Sequence, residues 1–209
     1  MKGLLIKDLL GLKKYYRTVL ILCVFYVVLT FTMNSFSMIG GMVTLLMAMI
    51  PIAAFSYDEM AKWDIFGLSL PVTRQQVVLS RYLLAALFAG AGILFSLLVS
   101  WVYLLVKGGV WQEQMAIVLT CGGFGLLLVS VLIPLIYKLG AEKARFAMMA
   151  VVVLGVMLIL LGDEAIKRAG PVLTAQLIRW APVCAPVLLA AVFVGSFFLS
   201  CRIYEKKEI

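Results

Sequence analysis

Long apolar runs limit this chain more than any other feature. Six stretches are candidate membrane crossings: Tyr16–Met33, Met38–Phe55, Tyr82–Val106, Met115–Tyr137, Phe146–Leu161 and Pro182–Cys201. A spanning helix takes about 20 apolar residues, and in lipid only helices and closed barrels satisfy their own backbone. Only 13% of the 209 residues are charged, where a soluble domain carries about a quarter. The predicted fold is therefore all-α: one polytopic membrane domain, 1–209, with six transmembrane helices and no room for a second, soluble domain. The first two runs are separated only by Asn34-Ser35-Phe36-Ser37, which permits a tight turn or one very long bent helix.

Net charge is +8, which in a soluble protein would suggest nucleic acid. Its placement argues for membrane topology instead. With six crossings, 14 of the 18 Lys and Arg fall on the side that holds both termini, the 56–81 loop and the 138–145 loop. The opposite side holds only Lys107, Lys167, Arg168 and Arg179. The positive-inside rule then predicts both termini in the cytoplasm, with the basic rim facing anionic lipid headgroups and no nucleic-acid partner.

Several chemistries are excluded. The chain has no His, so His catalysis and His metal ligation are absent. It has no G-x-x-x-x-G-K-[ST], and so no P-loop for ATP, and no G-x-S-x-G. No Asp, Glu, Lys or Arg lies deep within a run, which weighs against an ion pump driven by intramembrane carboxylates. Cys23, Cys121, Cys184 and Cys201 form no C-x-x-C pair and read as small apolar packing residues. There is no sign of a cleavable leader: the first fourteen residues are amphipathic and basic, without a hydrophobic core region.

Two polar segments carry the structure around these runs. In residues 2–16, Leu5, Leu9, Leu12 and Tyr16 repeat at helical spacing among Lys2, Lys7, Lys13 and Lys14. That pattern predicts a helix, 1–15, lying flat on the inner leaflet, or a solvated basic lead-in. The second segment is 56–81. Asp58 and Glu59 precede Lys62 at spacings that permit helix-face ion pairs. Trp63, Phe66 and Leu70 form an apolar stripe, and Pro71 ends the helix. Thr73 with Gln76 matches a capping box that opens the next helix. On the other side, 162–181 is a re-entrant or interfacial segment, or a plain loop, divided at Pro171. Pro51, Pro134 and the small pairs Ala85/Ala89 and Ala86/Gly90 predict kinks and close helix approach.

Asp58-Glu59, Trp63-Asp64, Ser69-Leu70-Pro71-Val72-Thr73-Arg74, Val77-Val78 and Ser80-Arg81-Tyr82 together resemble the signature loop of the small six-helix permeases of type-2 ABC transporters. The opening Met-Lys-Gly-Leu-Leu-Ile-Lys-Asp-Leu is similar to that family's N-terminus. The resemblance implies a bacterial plasma-membrane exporter subunit that is not itself an enzyme. It also implies a separate ABC ATPase present in two copies, which supplies ATP and Mg, and a second permease copy as homo- or heterodimer. By the same resemblance 56–81 holds the coupling helix, 1–15 the connecting helix, and the cargo is amphipathic, such as an antimicrobial or toxin-like peptide. Tyr57, Asp58, Glu59, Met60, Lys62, Trp63, Asp64, Phe66 and Arg74 would engage the ATPase, the aromatics filling its cleft and the charges setting register. Two other classes stay open on the residues alone: a membrane enzyme acting on lipids, and a passive channel or receptor subunit.

Overall fold

The computed structural model describes residues 2–33, 36–61, 73–140 and 171–206, and between the last two stretches residues 143–144, 146, 149–151, 153, 155 and 157. Every regular element among them is helical. The order is α1 (Lys2–Gly11), α2 (Lys13–Thr32), α3 (Phe36–Met60), α4 (Arg74–Lys107), α5 (Trp111–Leu139) and α6 (Pro171–Glu205).

Four stretches are long and apolar enough to cross a bilayer: Gly41–Asp58, Arg74–Lys107, Trp111–Leu139 and Cys184–Glu205. The bent pair Gly3–Gly11 and Tyr16–Thr32, at 65°, brings the count to at most five among the described residues. The described residues therefore do not show all of the expected six. The predicted crossing Phe146–Leu161 is described only in part; its described residues are helical, with Phe146, Met149, Val153 and Met157 exposed along one side. The expected segment 162–181 divides as well. Its first part, to residue 170, lies outside the described residues, whereas Pro171 begins α6, which continues through Pro182 without a break. Proline at a helix start loses nothing, because that N–H has no partner there.

α3, α4 and α5 form the centre. α6 packs on α5 and α4, α2 packs on α3, and α1 lies across α2, α3 and α4. The buried face of α4 shows how the sequence builds this. Val78, Tyr82, Ala85, Ala89, Gly92, Ser96, Ser100 and Tyr103 recur every three or four residues and are all buried. Small residues on such a seam let backbones approach closely. A Cβ on Gly92 would stand 2.7 Å from Met47 Cβ, and one on Gly125 of α5 would stand 2.8 Å from Ala48 Cβ. Of the two small pairs on α4, Ala85/Ala89 lies on the seam, while a methyl added at Gly90 would meet nothing within 4 Å and Ala86 is exposed. Thr44 and Ser96 hydroxyls bond across the seam at 2.8 Å. Among the cysteines Cys201 is buried and Cys184 exposed, so Cys184 is no packing residue.

Pairings along the helices fix direction. Thr44 meets Ser96 and Ala54 meets Leu84, so α3 and α4 are antiparallel. Ser130 meets Ser196 and Tyr137 meets Tyr204, so α5 and α6 run in the same sense. One end of the bundle thus gathers α1, the end of α3, the start of α4 and the ends of α5 and α6.

Candidate functional site

Among the described residues, all the ion pairs lie at that end. Leu4 and Asp8 of α1, and Leu12 just after it, follow one another at four-residue spacing, all three buried. Leu5 and Leu9 pack beside Leu12 against Ala54, Leu84 and Phe88. The apolar stripe expected to float on the leaflet therefore faces protein over α1, and Ile6 and Leu10 are the exposed side chains. A helical period gives the phase of a stripe but not the surface it meets.

Asp8 enters this apolar contact because it meets a guanidinium. Arg81 of α4 is 4% exposed at its side chain, with Nη1 3.1 Å from Asp8 Oδ1, an ion pair without hydrogen-bond geometry. Arg81 Nη2 pairs with Asp58 Oδ2 of α3. Lys7 Nζ donates to both Asp58 oxygens, at 2.9 and 2.8 Å, and lies 3.0 Å from Asp8. The four formal charges sum to zero, which a buried cluster requires. Three helices are joined by it.

Arg81 also lies over the Phe55 ring at 4.9 Å. From there a ladder of rings crosses the bundle end. Phe55 meets Tyr137 edge-on at 5.4 Å, and Tyr137 meets Tyr204 at 5.0 Å. Arg74 closes the ladder 6.0 Å above Tyr204. Arg74 and Arg81 are seven residues apart on α4, hence on one face. Ring pairs and cation–π contacts of this kind contribute about 0.5–1.5 kcal/mol each beyond burial.

Arg74 does more. Its Nη1 donates to the Tyr204 and Glu205 carbonyls at 2.8 and 2.9 Å, satisfying acceptors that the end of α6 leaves open. Gln75 Nε2 donates to Glu205 Oε1 at 3.3 Å. Immediately before it the expected capping box is present: Gln76 N–H donates to Thr73 Oγ1 at 3.3 Å, and Thr73 N–H to Gln76 Oε1 at 3.2 Å.

The residues expected to engage a partner are distributed as follows. Asp58 and Arg74 are engaged inside the chain, one through the charge cluster and one through α6. Tyr57 is half-buried in the last turns of α3, and Glu59 and Met60 belong to that helix. Lys62, Trp63, Asp64 and Phe66 lie outside the described residues. Sequence reading missed Lys7, Asp8, Phe55, Arg81, Tyr137 and Tyr204. One signal was available: Asp8 is the sole acid before Asp58, and it sits on an apolar face. Among the described residues no three Cys, Asp or Glu side chains converge on a site for a metal ion.

An all-helical bundle with exposed leucines, valines and phenylalanines along α2, α4 and α6, and its ion pairs gathered at one end, is a multi-pass membrane protein. The family of ABC-2 family transporter proteins matches residues 3–205, and the chain belongs to it. Membership points to a transport subunit rather than a catalyst and implies association with an ABC ATPase. No curated protein and no solved structure matches the chain.

Proposed function

We propose that this chain is the permease of an ATP-driven exporter, worked by an ATPase that grips the segment between Asp58 and Arg74 from the cytoplasm. One observation carries the reading: this segment is anchored at both ends. Asp58 ties its start to α1 and α4 through Lys7 and Arg81, and Arg74 ties its end to α6. The aromatic ladder connects the two anchors. A push on such a segment reaches α1, α3, α4, α5 and α6 together, which is what a membrane body without its own fuel needs. Asp58 and Arg74 then position the segment, and Tyr57, Glu59, Met60, Lys62, Trp63, Asp64 and Phe66 are the residues that would meet the partner.

Six crossings fit the observed directions. α5 and α6 run in the same sense, and a further crossing between them, as at Phe146–Leu161, is what supports a count of six. The cargo is amphipathic, of the peptide or lipid-like kind, because the faces on offer are apolar and aromatic. ATP and Mg belong to the partner, present twice, with a second permease copy completing the transporter.

The test is coexpression of the full chain with the ATPase encoded beside it. The complex is expected to copurify, with Glu59→Arg or Trp63→Ala leaving the chain folded while ATP hydrolysis no longer drives transport. Normal transport by both variants would refute the assignment.

A further inference from the structure

Pro134 stands inside α5 and is buried there. Proline has no N–H, so the carbonyl four residues earlier loses its helical partner. That carbonyl is Ser130's. The Ser130 hydroxyl does not fill the gap, since it donates back to the Leu126 carbonyl at 2.7 Å. The donor comes from another helix: Ser196 Oγ of α6 hydrogen-bonds to the Ser130 carbonyl.

This contact fixes the direction of a longer chain. Ser196 has one hydroxyl proton and gives it to Ser130. The Tyr82 hydroxyl of α4, 2.6 Å from Ser196 Oγ, therefore donates to it. Ser200 Oγ, 2.8 Å from the same phenol oxygen, then donates to Tyr82. Ser196 and Tyr82 thus each give one bond and take one, and Ser200 starts the chain as a donor. Phe193, Ser196, Phe197 and Ser200 lie at i, i+3, i+4 and i+7, one face of α6. The two phenylalanine rings hold Tyr82 edge-on at 5.1 and 5.5 Å, aiming its hydroxyl between the serines. In an apolar surrounding an unsatisfied carbonyl is costly, so the gap in α5 selects a hydroxyl at 196.

We propose that Ser196 is a positioning residue that fills the backbone vacancy made by Pro134, and that Tyr82 extends this joint to α4. The joint sets the register of three helices at the end where α4 begins. It stands on these contacts whether or not an ATPase grips the neighbouring segment.

The test uses the full chain purified in lipid nanodiscs and reads the midpoint of thermal unfolding. Ser196→Val and Ser196→Thr have nearly the same shape and differ in the hydroxyl. Thr is expected to keep the wild-type midpoint and Val to lose about 2–4 °C. In a Pro134→Ala background residue 134 regains an N–H for the Ser130 carbonyl, and the Thr–Val difference is expected to shrink to less than half. Equal midpoints for Thr and Val with Pro134 in place would overturn the proposal, and that comparison stands even if the Pro134→Ala chain does not fold. An undiminished difference in the Pro134→Ala background would overturn it as well.

Discussion

Arg81 is the residue whose role is most sharply defined by what surrounds it. Two carboxylates and one ammonium surround it, Asp8 buried and Asp58 and Lys7 partly so, and removing it leaves Lys7 as the cation beside Asp8 and Asp58 among the described residues. An uncompensated buried charge typically costs about 3–5 kcal/mol, whereas a cluster restored to neutrality recovers much of that. Arg81→Met is therefore expected to destabilise the chain by about 3 kcal/mol, and Arg81→Met with Asp8→Asn by less than half as much. Chemical unfolding of the three proteins checks this; a double variant no better than the single one would show that charge balance is not what Arg81 supplies. Asp58 was visible in the sequence as a charge available to a partner, and Arg81 only as part of the 55–82 stretch, with no role of its own. Their mutual pairing was not, because Asp8 and Lys7 join them from more than fifty residues away, and no local pattern encodes a contact at that distance.

Elements were legible to the degree that their signals are local. The capping box is the clearest case: Thr73 and Gln76 are three residues apart, and both reciprocal bonds form. The structure adds what the box does here, which is to hold the first turn of α4 so that Arg74 reaches the last carbonyls of α6. Thr73 is exposed, so replacing it disturbs the cap and little else. Thr73→Ala is expected to cost about 1 kcal/mol, a midpoint loss of about 2–4 °C at this chain length, with Thr73→Ser near wild type. If Ala and Ser melt alike, the reciprocal bonds contribute nothing at that helix start. α1 shows the opposite limit. The expected helix 1–15 stops at Gly11 and Tyr16 falls exposed on α2, while Leu5, Leu9 and Leu12 pack on Leu84 and Phe88 rather than lipid, because hydrophobic spacing serves a protein neighbour and a bilayer equally well.

At the scale of the whole molecule, charge and packing bear on the same question from independent sides. Lys and Arg concentrate in the segments that six crossings place together, and the helix pairings put α1, the start of α4 and the end of α6 at one end. The turn Gly108-Gly109-Val110 lies at the other, where Gly108 and Gly109 take positive φ of 74° and 129° to reverse the chain between α4 and α5. If the basic end faces the cytoplasm, a fluorescent protein that folds only inside the cell should glow when fused after Glu205. A phosphatase active only outside should work when inserted between Gly108 and Gly109 and stay silent after Glu205. The reverse pattern would place the anchored segment outside the cell, beyond the reach of any ATPase, and would end the functional reading while leaving the charge cluster and the Pro134 joint untouched. Packing alone cannot choose between the two orientations, since a bundle inverted in its bilayer keeps every internal contact. Only the asymmetry of Lys and Arg, a property of sequence, distinguishes its two sides.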